Sequence, residues 1–214
     1  MNGDLTDWVA VKLTAEHRLE IVGRTAQDFL LVKSDKGFEF AAAVLGLKAT
    51  IRASDVVHLF SGSKKPRLVI NVPSKTLWSG GAIEQIHAED AAFGKLGDVA
   101  RAASLDDPGS FRNKNIGFFI NAIEQHRNVS SVSYVYDSVL NVDRILGASL
   151  TVAVIEAYNM TAEDVRDARA RFDFFDVVVK SSSYGSVTDE AVAAAQTMGA
   201  KALTFGELMG RLNR

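Results

Sequence analysis

The chain contains no cysteine among its 214 residues. It can therefore form neither a disulfide framework nor a thiolate metal site. A reducing compartment fits that absence, so we expect a cytoplasmic protein. No apolar run approaches the roughly eighteen residues that a membrane span needs, and no charged and then apolar leader opens the chain. The sequence therefore predicts a protein without a membrane segment.

The chain also has few histidines and no excess of positive charge. The four histidines, His17, His58, His87 and His126, show no metal-ligand spacing, which argues against a zinc site. Neither glycine-rich nucleotide fingerprint is present, and there is no Gly-x-Ser-x-Gly elbow for a serine nucleophile. The net charge of −2 disfavours tight, non-specific binding to nucleic acid.

The first third of the chain reads as β-rich. Short runs of apolar and β-branched residues are separated by turn-forming residues, and they predict strands over 8–13, 18–22, 29–33 and 38–45. Segment 61–67, with Ser, Gly and Pro around paired lysines, is the clearest linker. The sequence thus predicts a β-rich N-terminal part over 1–62 and an α/β core domain over 67–214, with no internal repeat.

Strand and helix patterns alternate in the remainder of the chain. The patterns predict helices over 82–103, 114–127, 161–172, 188–198 and 207–212, and strands over 67–72, 132–136, 150–157, 175–179 and 201–204. Thr161 is a plausible N-cap with Asp164 in a capping box, and Gly199 suits the position that ends a helix.

Segment 138–147 fits either a helix or a strand, and the choice decides the fold. As a strand it completes a three-stranded meander between two helices, which gives the order α-β-β-β-α-β. As a helix it turns the chain into successive βαβ units around a parallel sheet, a Rossmann-like arrangement.

Two acids flank this region. Asp143 stands before a turn, and Glu156 follows the β-branched run Leu150–Ile155. Carboxylates on neighbouring strands can share a hard cation such as Mg²⁺, which prefers oxygen ligands. A carboxylate at the end of a buried strand also needs a partner or a role, because its burial alone is costly.

This acid pair resembles the Asp…Glu-x-Lys motif of the restriction-endonuclease-like nucleases. The last forty residues, with Phe-Asp-Val-Val-Val-Lys-Ser-Ser-Ser-Tyr-Gly, an alanine-rich helix and a final Glu-Leu helix, resemble the end of the Mrr-type restriction endonucleases. The resemblance covers about 114–213. It implies a mixed-sheet core of that type in the C-terminal half and a divergent, metal-dependent nuclease-like domain that cleaves or only binds DNA.

The resemblance implies roles for single residues. Asp143 and Glu156 would hold Mg²⁺, and Tyr158 occupies the place of the family's lysine. Tyrosine carries no positive charge near neutral pH, so Lys180 is the best candidate for the missing catalytic cation, with Arg144 as the alternative. Glu124 would be the additional acid that some members place on the preceding helix.

A second hypothesis is not enzymatic. A loop of small residues between a strand and a helix offers backbone N–H groups to an anion, and such a loop is formed here by Ser181, Ser182, Ser183 and Gly185. A Rossmann-like module could bind a small anionic ligand or a protein partner through this loop, Tyr158, Asn159 and Lys180. Under either hypothesis we expect a homo-oligomer.

Overall fold

The computed structural model describes residues 3–182 and 184–213, and it shows an α/β protein with two mixed five-stranded sheets. The predicted α/β class is therefore confirmed. The chain divides into two compact units, Met1–Asn113 (unit 1) and Lys114–Arg214 (unit 2). The described residues include no helix long and apolar enough to cross a membrane.

Unit 1 builds its sheet in the order β1-β2-β3-β4-β5. Its strands are β1 (Ile21–Arg24), β2 (Leu30–Lys33), β3 (Glu39–Leu45), β4 (Leu68–Asn71) and β5 (Ala92–Gly94), and its helices are α1 (Gly3–His17), α2 (Ala53–Val56), α3 (Gly80–Ala88) and α4 (Asp98–Ala103). Pairs β1–β2 and β2–β3 are antiparallel, whereas β3–β4 and β4–β5 are parallel.

Three expectations for unit 1 need correction. The predicted strand over 8–13 lies inside α1, because Thr6, Val9 and Leu13 are buried at helical spacing. Segment 61–67 is not a boundary between parts, since β3 and β4 on either side of it pair in one sheet. The predicted helix over 82–103 is interrupted: Asp90 adopts a φ of 52°, and β5 follows.

Unit 2 builds its sheet in the order β6-β7-β8-β9-β10. Its strands are β6 (Val129–Tyr136), β7 (Val139–Arg144), β8 (Leu150–Ile155), β9 (Val177–Lys180) and β10 (Lys201–Leu203), and its helices are α5 (Lys114–Glu124), α6 (Ala162–Phe172), α7 (Asp189–Thr197) and α8 (Phe205–Leu212). Pairs β6–β7 and β7–β8 are antiparallel, whereas β8–β9 and β9–β10 are parallel.

The structure therefore resolves segment 138–147 as the strand β7, and the helix that the Rossmann-like alternative needs is absent there. The predicted helix start is confirmed: the Thr161 side chain accepts from the Asp164 N–H, and the Asp164 carboxylate accepts from the Thr161 N–H. Gly199 has the expected positive φ of 73° beyond the end of α7.

The two units have the same topology, although the sequence shows no evident repeat. Each runs helix, three-stranded meander, helix, strand, helix, strand, helix. In each, the first two strand pairings are antiparallel and the last two are parallel. The structure thus contains one fold twice.

Local hydrogen bonds repeat as well, which aligns the two units residue by residue. An isolated parallel bridge joins Ile51 to Trp78 in unit 1 and Met160 to Val187 in unit 2. The residue after each bridge partner, Ser79 or Thr188, is the N-cap of the next helix. The register of β3–β4 and of β8–β9 ends at Leu45↔Asn71 and at Ile155↔Lys180, so these positions correspond as well.

Each unit has its own hydrophobic core between its sheet and its helices. In unit 2 one core cluster joins Phe119 of α5 and Leu208 of α8 to apolar residues of three strands. The strand members are Leu140, Val142, Leu150, Val152, Val154, Val177 and Val179. Because neighbours along a strand point to opposite faces, this cluster identifies the face of the sheet that α5 and α8 cover.

Candidate functional site

Asp143 and Glu156 lie at opposite ends of the β7–β8 hairpin. The Ser149 hydroxyl donates to Asp143 Oδ1 over 2.7 Å, which places Asp143 beside the residue that precedes β8. Glu156 follows the last residue of β8, Ile155. At 3.2–3.4 Å per residue, the two acids are roughly 20 Å apart along the strand.

The two acids also face opposite sides of the sheet. Asp143 follows Val142, which belongs to the core cluster under α5 and α8, so its own side chain points to the other face. Glu156 has the same parity as Val154 of that cluster and receives a 2.8 Å hydrogen bond from Asn115 on α5. The prediction that Asp143 and Glu156 share one metal ion is therefore wrong, because the register of the hairpin separates them.

Asp143 instead links β6 and β7 to the residue that precedes β8. Its carboxylate accepts hydrogen bonds from the Ser131 hydroxyl on β6 at 2.7 Å, from the Asn141 amide on β7 at 3.0 Å and from the Ser149 hydroxyl at 2.7 Å. The hydrogen bonds from Ser149, Ser131 and Asn141 hold the pKa of Asp143 below its usual value. These three hydrogen bonds stabilise the ionised form of the carboxylate and give it a structural role in the sheet.

Glu156 lines an open pocket of about 310 Å³ at the carboxyl ends of β8 and β9. The other lining residues are Asn115, Ala157, Tyr158, Ser181 and Ser182. Glu156 is the only charged residue among them. Ligands commonly bind at this edge of an α/β sheet, where loops follow parallel strands.

Lys180 lies at the end of β9 but does not reach into the pocket as a catalytic cation would. The residue is 1 % exposed, and its ammonium donates to the backbone carbonyls of Ser182, at 2.6 Å, and Tyr184. The lysine thus stabilises the loop that follows its own strand. Arg144, the alternative cation, donates to Ala148 O at 2.6 Å, at the Asp143 end of the hairpin.

The serine loop is built by close backbone packing against the loop after β8. Ser181 and Ser182 line the pocket, whereas Ser183 lies outside the described residues. Gly185 has a φ of +77°, and a Cβ atom there would stand 2.0 Å from Tyr158 O. The Asn159 side-chain oxygen accepts from the Ser186 N–H over 2.9 Å. Asn159 and Gly185 therefore fix the two loops together.

We predict that Gly185→Ala will lower the free energy of unfolding by about 2–4 kcal/mol, because the new methyl group cannot approach Tyr158 O so closely and the positive φ adds strain. Chemical denaturation measures the change. Gly206→Ala in α8 is the control, since no atom lies within 4 Å of its Cβ position. A loss equal to that of the control would contradict the prediction.

Glu124, expected as an additional acid, ends α5, whereas Asn115 near the start of that helix contacts Glu156. At 1.5 Å per residue, about 13 Å of helix separates Glu124 from Asn115. The structure therefore does not bring Glu124 to the pocket. Within the described ranges, no three His, Cys, Asp or Glu side chains are grouped so that they could hold a metal ion.

From the sequence alone, Asp137 reads as a plain surface acid with no role in the site. It stands in the turn between β6 and β7, and the next residue, Ser138, accepts a 2.8 Å hydrogen bond from the Val154 N–H. The turn therefore lies beside the end of β8 that carries Glu156. Only the hairpin register reveals this neighbourhood, because eighteen residues separate the two acids along the sequence.

Unit 1 has no acid at the position that corresponds to Glu156. Counting on by one residue from the aligned pair Leu45 and Ile155, Gly46 matches Glu156. A Cβ atom on Gly46 would stand 2.6 Å from a Leu5 methyl group of α1, so α1 occupies the place of a side chain there. The acid-lined pocket thus belongs to unit 2 and is not a necessary product of the fold.

Comparison of the chain with family models, with curated proteins and with solved structures finds no match.

Proposed function

We propose that the protein is a non-catalytic binding protein, in which a divergent restriction-endonuclease-like fold in unit 2 receives a protein partner at the Glu156 pocket. One observation carries the proposal: Tyr184 in the serine loop and Tyr158 in the loop after β8 have their rings in solvent. Tyr158 is 69 % exposed and Tyr184 is 75 % exposed. Exposed tyrosines beside serine and asparagine are typical of protein-recognition surfaces.

The arrangement of charges argues against hydrolysis by this site. Phosphodiester cleavage depends on positive charge at the developing transition state. Tyr158 replaces the lysine of the resembled motif, and the ammonium of Lys180 is engaged by two carbonyls. Asp143, the expected metal ligand, lies at the other end of the hairpin. A catalytic reaction at Glu156 would thus lack the expected cation.

The same charges favour a protein over DNA as the partner. The only charged lining residue, Glu156, is an acid and repels phosphate. Unit 2 supplies ten of the Lys and Arg residues and twelve of the Asp and Glu residues, so it carries no basic excess. A partner segment that offers hydrogen-bond donors or a cation to Glu156 and apolar surface to the tyrosines fits this pocket.

Photo-crosslinking in cells tests the proposal. A benzoylphenylalanine residue at position 158 is expected to capture a discrete protein partner, and Glu156→Lys should abolish the product. Position 48 is the matched control, because it lies in the corresponding loop of unit 1 and is also exposed. Equal capture at both positions, or capture of nucleic acid alone, would contradict the proposal.

A second candidate function rests on the neighbourhood of Asp137 and Glu156. Mg²⁺ is commonly bound through one or two carboxylates and several waters, so these two acids could hold the ion that the resemblance implies and support cleavage of DNA. Calorimetric binding of Mg²⁺ or Mn²⁺, together with plasmid nicking, would favour this function if both disappear in Glu156→Gln and in Asp137→Asn. Nicking that survives both changes would rule this site out as its source.

A further inference from the structure

The strand β6 forms one edge of the unit 2 sheet. Among the described strands it pairs only with β7. Its eight residues, Val-Ser-Ser-Val-Ser-Tyr-Val-Tyr, include no charge, no proline and no glycine. Register shifts occur at both ends, which leaves Ser131–Tyr134 as the regular stretch. Soluble proteins usually protect such an edge, because unpaired backbone groups invite another strand.

The corresponding edge of unit 1 is protected. The strand β1 has only four residues, including Gly23, and its register shifts between Ile21 and Gly23. Its last residue, Arg24, forms ion pairs with Asp7 and Asp28. Short length, a bulge and charge are the usual devices against edge pairing. Because both units have the same topology, the fold itself does not require an uncharged edge at β6.

A second contrast occurs at the hairpin tip next to this edge. The tip of unit 2 carries Ile145 and Leu146, which are 62 % and 72 % exposed. The corresponding turn of unit 1 carries Asp35 and Lys36, and both turns continue with a glycine at positive φ, Gly37 or Gly147. Two charged residues thus satisfy the same turn, so the exposed aliphatic pair is not a requirement of folding.

The tip of unit 2 is held in place by Asn128, which immediately precedes β6. The Asn128 carbonyl accepts from the Ile145 N–H at 2.9 Å, and its side-chain oxygen accepts from the Leu146 N–H at 2.9 Å. Its amide nitrogen donates to Leu146 O at 3.1 Å and to Leu212 O at 2.7 Å. The two aliphatic side chains are therefore presented by a fixed backbone at the amino end of β6.

We propose that β6 and the Ile145–Leu146 tip form a dimer interface with a second copy of this chain. Antiparallel pairing about a two-fold axis at Ser133, which lies within the regular stretch, joins the two β6 strands. Such a contact is isologous, which means that the same surface of both copies forms the interface. The unit 2 sheet of one copy and the unit 2 sheet of the other then form one continuous sheet.

Charge and shape complementarity support a second copy as the occupant. Arg127 precedes β6 and Asp137 follows it, so antiparallel pairing brings opposite charges together at both ends. It also places the Ile145–Leu146 tip of one copy near the Tyr134–Tyr136 end of the other. No like charges meet along the strand, which removes the repulsion that normally opposes edge pairing.

Sedimentation of the full chain over a range of concentrations tests this interface. We expect a monomer–dimer equilibrium that Ser133→Lys weakens at least about tenfold, because two lysines would meet at the two-fold axis. Ser133→Glu should weaken it as well, and an equimolar mixture of the two variants should restore a heterodimer. The matched control is Val22→Lys on β1, an exposed edge position of unit 1, which should leave the equilibrium unchanged.

The tip is tested by giving it the residues of unit 1. The double variant Ile145→Asp, Leu146→Lys should fold normally, as circular dichroism and thermal melting can verify, and should dimerise at least about tenfold more weakly. A chain that stays monomeric at every concentration overturns the proposal. So does a dimer that withstands the Ser133 and tip variants, or one that Val22→Lys disrupts equally.

Discussion

Replacement of Asn71 by alanine is expected to lower the free energy of unfolding by about 2–4 kcal/mol. Asn71 is 1 % exposed at the end of β4. Its amide donates to Leu47 O at 2.9 Å and to Pro73 O at 3.1 Å, and its oxygen accepts from the Leu47 N–H at 2.9 Å. Alanine leaves the Leu47 N–H and Pro73 O without this partner.

Urea or guanidinium denaturation of the full chain measures the effect on Asn71→Ala. Asn121→Ala provides the same chemical change at an exposed position of α5, where we expect a change below about 0.5 kcal/mol. If Asn71→Ala cost no more than this control, the three hydrogen bonds would not contribute as proposed. Thr76, which also donates to Leu47 O at 2.7 Å, keeps that carbonyl bonded in the variant.

Lys180→Ala is expected to have a comparable effect, about 3 kcal/mol, for two physical reasons. The side chain is 1 % exposed, so its loss leaves a cavity in the sheet. The carbonyls of Ser182 and Tyr184 also lose their charged donor. Lys180→Met separates the two contributions, because methionine keeps most of the apolar stem and removes only the ammonium.

The readout for Lys180 combines stability with local exchange. Chemical denaturation gives the overall loss, and amide hydrogen exchange in segment 184–188 should accelerate in both variants. Lys201→Ala, at an exposed position that begins β10, is the control and should change neither quantity. A slow-exchanging segment in Lys180→Met would show that the ammonium does not hold the loop. The ammonium of Lys180 would then be a candidate catalytic cation again.

These two residues occupy the same place in the two units. Each is the last residue of the fourth strand, is buried, and donates to the carbonyl two residues further on, Pro73 or Ser182. The fold therefore needs a buried hydrogen-bond donor at this position, and asparagine or lysine can supply it. This requirement explains why a lysine that suggests catalysis in the sequence has a structural role.

Much of unit 2 could be predicted from the sequence because its patterns are local. The β-branched runs of β8 and β9 and the capping box of Thr161 and Asp164 specify their elements directly. Unit 1 was harder. Valine and tryptophan in α1 favour strand by propensity, and only the burial of Val9 and Leu13 at helical spacing overrides that preference.

The internal duplication could not be found from the sequence, because the two units share few residues at corresponding positions. Gly97 and Gly206 agree, as do Asp55 and Asp164, but such matches are scattered. What repeats is strand direction and hydrogen bonding, which many residues satisfy. These features repeat although the side chains at corresponding positions differ.

The prediction that Asp143 and Glu156 share a metal ion was wrong for a geometric reason. A spacing of a dozen residues says that Asp143 and Glu156 stand on adjacent strands, but not which ends of those strands meet. In an antiparallel hairpin the start of one strand lies beside the end of the other. The register therefore pairs the Glu156 end of β8 with Asp137, before β7, and leaves Asp143 at the far end.

A fold present twice in one chain creates a hazard during folding, since a strand of one half could insert into the sheet of the other. Such misassembly is a known failure of repeat proteins. Here the divergent strand ends oppose it. The strand Leu68–Asn71, inserted in place of Val177–Lys180, would bring a short amide in place of the long ammonium that also reaches Tyr184 O, four residues beyond the strand. Different residues at corresponding strand ends thus disfavour the exchange of these two strands between the sheets.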